Sequence, residues 1–377
     1  MARRLTVVQL LPALDAGGVE RSTLEIAEAL VRAGHRALVV SAGGRLLPQL
    51  LAIGGEHVTL DIGRKSPASL RHVGALRRLF ARERVDIVHA RSRLPAWLAR
   101  FALRAMPAPR PHFVTTAHGL NSPSRYSAVM TSGERVICVS QTVRTYLLQH
   151  YPRLDPARLL VIPRGIDPAA FARAPSPDRA ARAAVAARHP QLTGTGPLLL
   201  LPGRGTRLKG HADALQLLAA LRDDGTDARL WLPGARQAGR DDYLAELEAE
   251  ATRLGIADVL AITEPTADIA RAYAASDLVL QLSRKPEAFG RTVLEAMAVG
   301  RPLLGWDHGG VGELLHAWQP QGAVAPFDAD ALLHGARALL AQPPQAAVTM
   351  PDSLRAMQQA TLDLYGQLAD DRSATGR

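Results

Sequence analysis

The sequence predicts an α/β protein of two doubly wound, parallel-sheet domains, and three observations carry that reading. Short apolar runs, as at 5–11, 37–41, 85–89 and 113–117, alternate with stretches of helical periodicity. Runs so short and so nearly continuous suit strands buried on both faces, the kind that parallel sheets use. Glycine marks the junctions: Gly17-Gly18 precedes a helical pattern at 19–33, and Gly34 ends it before the next strand. Finally, 377 residues are enough for two domains of ordinary size, each with its own core.

Composition narrows the class. Apolar content of 47% and charged content of 21% are those of a soluble globular chain. Cys138 is the one cysteine, which excludes an intrachain disulfide framework or a cysteine-based zinc site and fits a reducing cytoplasm. The formal net charge is +10, and because Lys65, Lys209 and Lys285 are the only lysines, nearly all the positive charge is arginine. A pI near 10.5 suits nucleic acid, anionic lipid and nucleotide-sugar alike. Arginines spread along the whole chain, with no interleaved aromatic stacking platform, weigh against nucleic acid as a partner. At the start, Arg3-Arg4 precede an apolar run, but Gln9 and Pro12 interrupt it and Gly17-Gly18 lead into a helix; this reads as a strand rather than a signal peptide. No uncharged apolar run approaches the ~18–20 residues that span a bilayer. The expectation is a cytoplasmic protein.

In the first half, strands are expected at 5–11, 37–41, 85–89, 113–117 and 135–140, with helices at 19–33, 68–82 and 142–150. Between 85–89 and 113–117 lies a helix read from Pro95, a residue tolerated in a first turn. Leu98, Phe101 and Ala105 share one of its faces; Trp97, Arg100 and Arg104 share another, with Arg93 just ahead. A tryptophan among arginines suits a bilayer headgroup zone, and it equally suits a solvated basic face. His118-Gly119 stand at the carboxyl end of a strand, where ligands of open α/β sheets gather.

Residues 167–197, rich in Ala, Arg and Pro, read as a linker with a short arginine-studded helix. A second domain opens with the strand 198–201 and the loop Gly203-Arg-Gly-Thr-Arg-Leu-Lys-Gly210, from which Arg204 and Lys209 project. It is not a Walker A loop, because no Lys-Ser/Thr follows a G-x4-G. Strands at 229–232 and 259–263 and helices at 242–254 and 268–275 lead to the strand 278–282 and then to KPEAFGRTVLEAMAVGRPLLGWDHGGVGE, residues 285–313. Glu287 falls in the loop at a strand's end and Glu295 one to two turns into the following helix, which ends at Gly300 and Pro302. The helix N-terminus between them is a natural phosphate seat, and two carboxylates beside it suit the sugar hydroxyls and ribose diol of a nucleotide-sugar. A weak helix at 328–341, a break at Pro343-Pro344 and a last helix from 353 to about 369 close the chain.

Five features together resemble retaining glycosyltransferases of family 4: G-G-x-E at Gly17, Gly18 and Glu20; His118-Gly119; the junction around Gly165; G-R-x4-K-G at Arg204 and Lys209; and E-x-F-G-x4-E from Glu287 to Glu295. The family's usual Asn at the junction is replaced by Arg164, and its Gly beside the nucleobase by Glu264-Pro265. The resemblance implies a GT-B architecture, two Rossmann-like domains facing a cleft: residues 1–166, joined by the terminal helix 353–377, and residues 167–352. It implies transfer of a hexose-type sugar from a nucleotide-sugar, UDP-linked by preference, to an acceptor hydroxyl with retained anomeric configuration. In this likeness Arg204 and Lys209 hold the diphosphate, and Glu287 holds the sugar with help from Phe289 and Gly290. Arg291 and Thr292 line the same seat, Glu295 takes the ribose, Gly17 and Gly18 line the phosphate side, and His118 lies by the reacting carbon. Glu20, Arg93, Trp97, Arg100 and Arg104 fall on the acceptor and membrane side. The acceptor this implies is lipopolysaccharide core or another lipid-linked or polysaccharide glycan, met at the anionic inner face of the membrane. No D-x-D triplet, Cys/His cluster or H-E-x-x-H occurs, so neither a catalytic metal nor a cofactor is expected. An epimerase or a soluble-acceptor transferase of the same architecture is the first alternative, and a non-catalytic nucleic-acid binder, prompted by the pI and disfavoured by the scattered arginines, is the second.

Overall fold

The computed structural model describes residues 3–15, 17–174, 177–344 and 353–375. The chain divides into two compact units, one of residues 1–164 and 354–377, the other of residues 165–353.

The first unit is a seven-stranded sheet: β1 (Thr6–Leu10), β2 (Arg36–Ser41), β3 (Glu56–Thr59), β4 (Ile87–Ala90), β5 (His112–Ala117), β6 (Arg135–Cys138) and β7 (Leu159–Val161). Every pairing is parallel, in the order β3-β2-β1-β4-β5-β6-β7. Helices α1 (Gly18–Arg32), α2 (Leu47–Ala52), α3 (Arg71–Arg82), α4 (Arg93–Arg104) and α5 (Gln141–His150) make the crossovers. Val7, Val8, Val39, Val88 and Val114 are wholly buried, as β-branched residues are on a sheet covered on both faces. Ser140, expected at the end of a strand, instead caps α5, its hydroxyl accepting from the Val143 amide.

The second unit begins with α6 (Arg179–Arg188). The alternation is then β8 (Leu198–Leu200), α7 (His211–Asp223), β9 (Arg229–Pro233), α8 (Asp241–Arg253), β10 (Leu260–Thr263) and α9 (Ile269–Ala275). It continues through β11 (Leu278–Gln281), α10 (Arg291–Val299), β12 (Leu303–Trp306), α11 (Gly309–Trp318), β13 (Ala323–Val324) and α12 (Ala329–Ala341). The sheet order is β10-β9-β8-β11-β12-β13, again wholly parallel. Both sheets therefore reverse direction of growth once, at β1/β4 and at β8/β11. Loops leaving the carboxyl ends of these strands diverge and open the crevice in which such folds seat ligands.

The last helix, α13 (Ser353–Thr375), belongs to the first unit from residue 354 onward. Its Met357, Leu364, Tyr365, Leu368 and Ala369 join Val7, Ile26 and Val39 in one core cluster. Tyr365 is wholly buried and its hydroxyl lies 2.6 Å from His89 Nδ1 on β4, while Gln358 Nε2 donates to the Glu25 carbonyl.

Three expectations need correction. Helix α4 starts at Arg93, with Pro95 inside its first turn. Its buried side is Pro95, Ala96, Leu98, Ala99, Ala102 and Leu103, because small alanines allow close approach to α3; Phe101 is 39% exposed and Ala105 is exposed. Residues 167–197 are not a loose linker: Phe171, Val185 and Leu192 are buried, and Arg182 on α6 bonds Asp277 at 2.6 Å. The elements α2, β3, β7, α7, β12, α11 and β13 were not distinguished in the sequence.

Truncating Tyr365 to Ala should cost about 3–5 kcal/mol, the range for a buried aromatic replaced by Ala, in urea unfolding followed by circular dichroism. A loss under about 1 kcal/mol would show that α13 is not part of the first unit's core.

Candidate active site

In the second unit the loops leaving β8 and β11 meet. Lys209 Nζ donates to Glu287 Oε1 at 2.6 Å, with the two side chains only 25% and 27% exposed. Backbone packing brings them together. Gly210 is left-handed (φ 76°), and a Cβ there would strike the Leu282 carbonyl, so the loop before α7 can rest on the end of β11 only as glycine. Ser283 Oγ donates to the same Glu287 oxygen at 2.5 Å, and Gln281 Nε2 approaches Oε2 at 3.4 Å. His308 Nε2 must donate to the Ser283 carbonyl, 2.8 Å away. On the other side, Gly309-Gly310 let the start of α11 reach the Glu287–Phe289 backbone, and the Gly310 amide donates to the Glu287 carbonyl at 2.7 Å.

Burial alone would push the Glu287 carboxyl upward; the Lys209 ammonium, together with the Ser283 hydroxyl and His308, overcomes it and holds the carboxyl below its usual range. Glu295, on the second turn of α10, is 7% exposed and accepts from the Tyr273 hydroxyl at 2.9 Å and from Arg291 Nε at 3.1 Å. Burial pushes the Tyr273 phenol well up, and the Glu295 carboxylate adds to it, so the tyrosine remains a donor. A carboxylate offers about four acceptor sites. Glu295 therefore keeps capacity for a diol.

Helices α7, α10 and α11 begin here, and none has its N-terminus closed by a side chain. In the same unit α6, α9 and α12 are each capped by an aspartate. Helix N-termini that no side chain closes, with their positive dipole ends, thus converge near Lys209 and Glu287, the electrostatics that an anionic ligand requires. Arg204 lies exposed in the β8–α7 loop, its guanidinium without a partner among the described residues. Phe289 is buried and Gly290 (φ 124°) forms the N-cap of α10; Arg291 and Thr292 fill its first turn. A cavity of about 520 Å³ lies beyond β9 and β10, lined by Trp231, Arg236, Thr263, Glu264, Pro265 and Arg271 among others.

The first unit carries its own polar group. Gly17 (φ 144°) is the N-cap of α1, and Glu20 folds back over it. His118 follows β5, and its Nδ1 lies 2.6 Å from Arg164 Nη2. The predicted membrane-facing residues divide. Trp97 is half-buried, donates from Nε1 to the Tyr126 carbonyl at 3.0 Å, and stacks on the exposed Phe101. Arg93 lies over the Tyr126 ring and bonds Ser127, so it is occupied within the unit. Arg100 sits over the Trp97 ring and Arg104 is exposed, leaving these two and Phe101 as the outward group. Among the described residues, no helix is long and apolar enough to cross a membrane, and no three His, Cys, Asp or Glu side chains cluster as metal ligands.

Several residues that complete the site were missed: Tyr273, Gln281, Ser283 and His308 in the second unit, His89, Arg91 and Arg164 as a group in the first. Ser283 and Gln281 carried a signal, since polar residues ending an otherwise apolar strand are out of place unless they serve a ligand or a neighbouring carboxylate.

Residues 16–170 match the family model described as Glycosyltransferase Family 4, and residues 186–355 match Glycosyl transferases group 1. A D-inositol 3-phosphate glycosyltransferase of Segniliparus rotundus is 28% identical over 259 residues, 66% of this chain. The match spans 52% of that relative, so the chain covers about half its length. A GDP-mannose-dependent α-(1-6)-phosphatidylinositol dimannoside mannosyltransferase of Mycobacterium tuberculosis is 25% identical over 331 residues, 86% of this chain and 75% of the relative. Among solved structures, a glycosyltransferase from Rickettsia africae superposes with a TM-score of 0.84 at 27% identity, covering 97% of this chain and 98% of that one.

Because its folded pKa is depressed, Glu287 contributes stability that is fully present above the ordinary value of 4.5 and is lost as pH falls through the lowered value. The difference in unfolding free energy between the wild type and Glu287→Gln should therefore be constant above that point and shrink in more acid solution. A difference that does not change between pH 7 and pH 3 would contradict the ion pair.

Proposed function

This chain belongs to the glycosyltransferases of family 4 and group 1, and from that membership we propose that it transfers a hexose-type sugar from a nucleotide-sugar to an acceptor hydroxyl with retention of configuration. The observation that carries the proposal is the Lys209–Glu287 pair at the split of the second sheet, set among three uncapped helix N-termini. In this reading the second unit holds the donor. Lys209 and Arg204 take the diphosphate and stabilise the charge that develops on it as it leaves, the largest single term in such sites. Two cations and the positive ends of these helices supply that term without a metal ion.

Glu287 accepts from hydroxyls of the transferred sugar. Its Oε1 is fixed by Lys209 and Ser283, and Oε2, with one weak contact from Gln281, is the oxygen left to do so. A carboxylate so restrained serves as a hydroxyl ligand rather than a covalent nucleophile, so attack comes from the face that the diphosphate leaves. Glu295 takes the ribose diol with its spare acceptor capacity, and the base occupies the side of β10 where Glu264-Pro265 stand. A UDP-sugar is the preferred donor; the GDP-mannose named for the Mycobacterium tuberculosis relative is its competitor.

The acceptor is assigned to the first unit, beside His118 and Glu20, with Gly17 and Gly18 lining the donor phosphates. That relative's name places its acceptor on a phosphatidylinositol anchor. A lipid-linked glycan at the inner membrane face, lipopolysaccharide core included, fits the exposed Arg104 and Phe101 and the half-buried Arg100 beside them.

Incubated with UDP-glucose, UDP-galactose, UDP-N-acetylglucosamine or GDP-mannose and a membrane glycolipid extract, the protein should release nucleotide only when the extract is present. The product should keep the donor's anomeric configuration by NMR, EDTA should not slow it, and Lys209→Ala should lower kcat by about 10²–10³. Isomerised sugar without acceptor would mark an epimerase, and loss of turnover in EDTA would remove the metal-free mechanism.

A further inference from the structure

Arg164 stands between β7 and the end of the first unit and is only 8% exposed. Its Nη1 donates to the Gly18 carbonyl, and its Nη2 lies 2.6 Å from His118 Nδ1. A guanidinium has N–H donors and no acceptor, so His118 Nδ1 must present its lone pair. A neutral imidazole then carries its one proton on Nε2.

Two further observations fix what that proton faces. Burial, then the charges of Arg164 and Arg91 and the neighbouring His89, hold His118 well below its ordinary value, so the ring is neutral. His118 Nε2 is shut from solvent and has no hydrogen-bond partner. His118 lines a cavity of about 20 Å³, room for about one water, together with Ser22, His89, Arg91, Thr116 and Arg164. Arg91 is anchored there by Gln9 Oε1 at 2.7 Å and Ser22 Oγ at 3.3 Å, and its Nη2 also has no partner. Both residues line this cavity with an N–H group that has no partner, an arrangement that an oxygen atom completes.

We infer that Arg164 is a positioning residue that fixes His118 as the Nε2–H tautomer, so that the imidazole serves the transfer as a hydrogen-bond donor to an oxygen and not as a base. The tautomer stands independently of the transferase reading; only the step it serves rests on that reading. The glycine loop shares in the device. A Cβ on Gly18 would fall 2.5 Å from Arg164 Nη1, the far end of a flexible side chain, while the backbone at Gly18 is open to any residue. Gly18→Ala should therefore dislodge the guanidinium while leaving the core intact.

The test is two-bond ¹H–¹⁵N NMR of the full chain labelled with ¹⁵N-histidine, without substrate, with His118→Gln identifying its signals among the 12 histidines. The wild type should show Nε2 protonated and Nδ1 bare, and both Arg164→Asn and Gly18→Ala should lose that pattern for a mixture of tautomers. A wild-type ring protonated on Nδ1, or a pattern unchanged in both variants, overturns the inference. With a donor and acceptor in hand, Arg164→Asn should lower kcat by about 10²-fold with donor KM nearly unchanged; a change confined to KM overturns the positioning role. If the tautomer is as stated and no donor is turned over, the transferase reading fails and the Arg164–His118 device stands.

Discussion

A lysine ammonium and a glutamate carboxylate 2.6 Å apart tie together the two loops that leave the split in the second sheet. Each is three-quarters buried, so each depends on the other: removing one would leave an uncompensated charge in a poorly solvated place. The contact is possible only because the backbone comes close first, Gly210 against the end of β11 and Gly310 against the Glu287 carbonyl. Much that defines the site follows. Ser283, Gln281 and His308 are arranged around the same carboxylate, and α7, α10 and α11 start around it with no side chain capping them.

Such an arrangement is poised rather than inert. Lys209 uses one of three N–H donors on Glu287, and Glu287 Oε2 is nearly free, so a diphosphate and a sugar hydroxyl could each engage the pair without dismantling it. Glu295 differs. Its partners Tyr273 and Arg291 hold both of its oxygens inside the α9–α10 packing, which suits a residue that orients a ligand rather than one that reacts. The first unit has a parallel construction, in which α13 closes the sheet from behind and Tyr365 reaches His89 beside the cavity that holds Arg91 and His118.

Much of this was legible in the sequence because it depends on local pattern. Continuous apolar runs marked most of the strands, and glycines marked the turns where a side chain would strike backbone. Glu287 and Glu295 fell where expected, in the loop after β11 and the second turn of α10. What escaped depends on contacts distant in sequence. Nothing near Arg164 indicates that its guanidinium reaches His118, 46 residues away, and the 276-residue separation of His89 and Tyr365 hides their bond. Helix α4 was misread for a different reason: hydrophobicity placed Phe101 inward, whereas close packing against α3 selected the alanines. The span 167–197 looked like a tether because Ala, Arg and Pro predominate, yet a few apolar residues, Phe171, Val185 and Leu192, suffice to anchor it.

Calorimetric titration of nucleoside diphosphates into the wild type, Lys209→Ala and Glu295→Ala, backed by thermal unfolding, decides whether the Lys209–Glu287 pair marks a nucleotide site. A nucleotide bound only by the folded protein adds about 2.7 kcal/mol of stability at a hundred times its Kd. One nucleoside diphosphate should bind and stabilise the wild type, and both variants should lose most of that effect. Binding that survives unchanged in Lys209→Ala and Glu295→Ala would mean that the ligand sits elsewhere and that the Lys209–Glu287 pair is a structural tie alone.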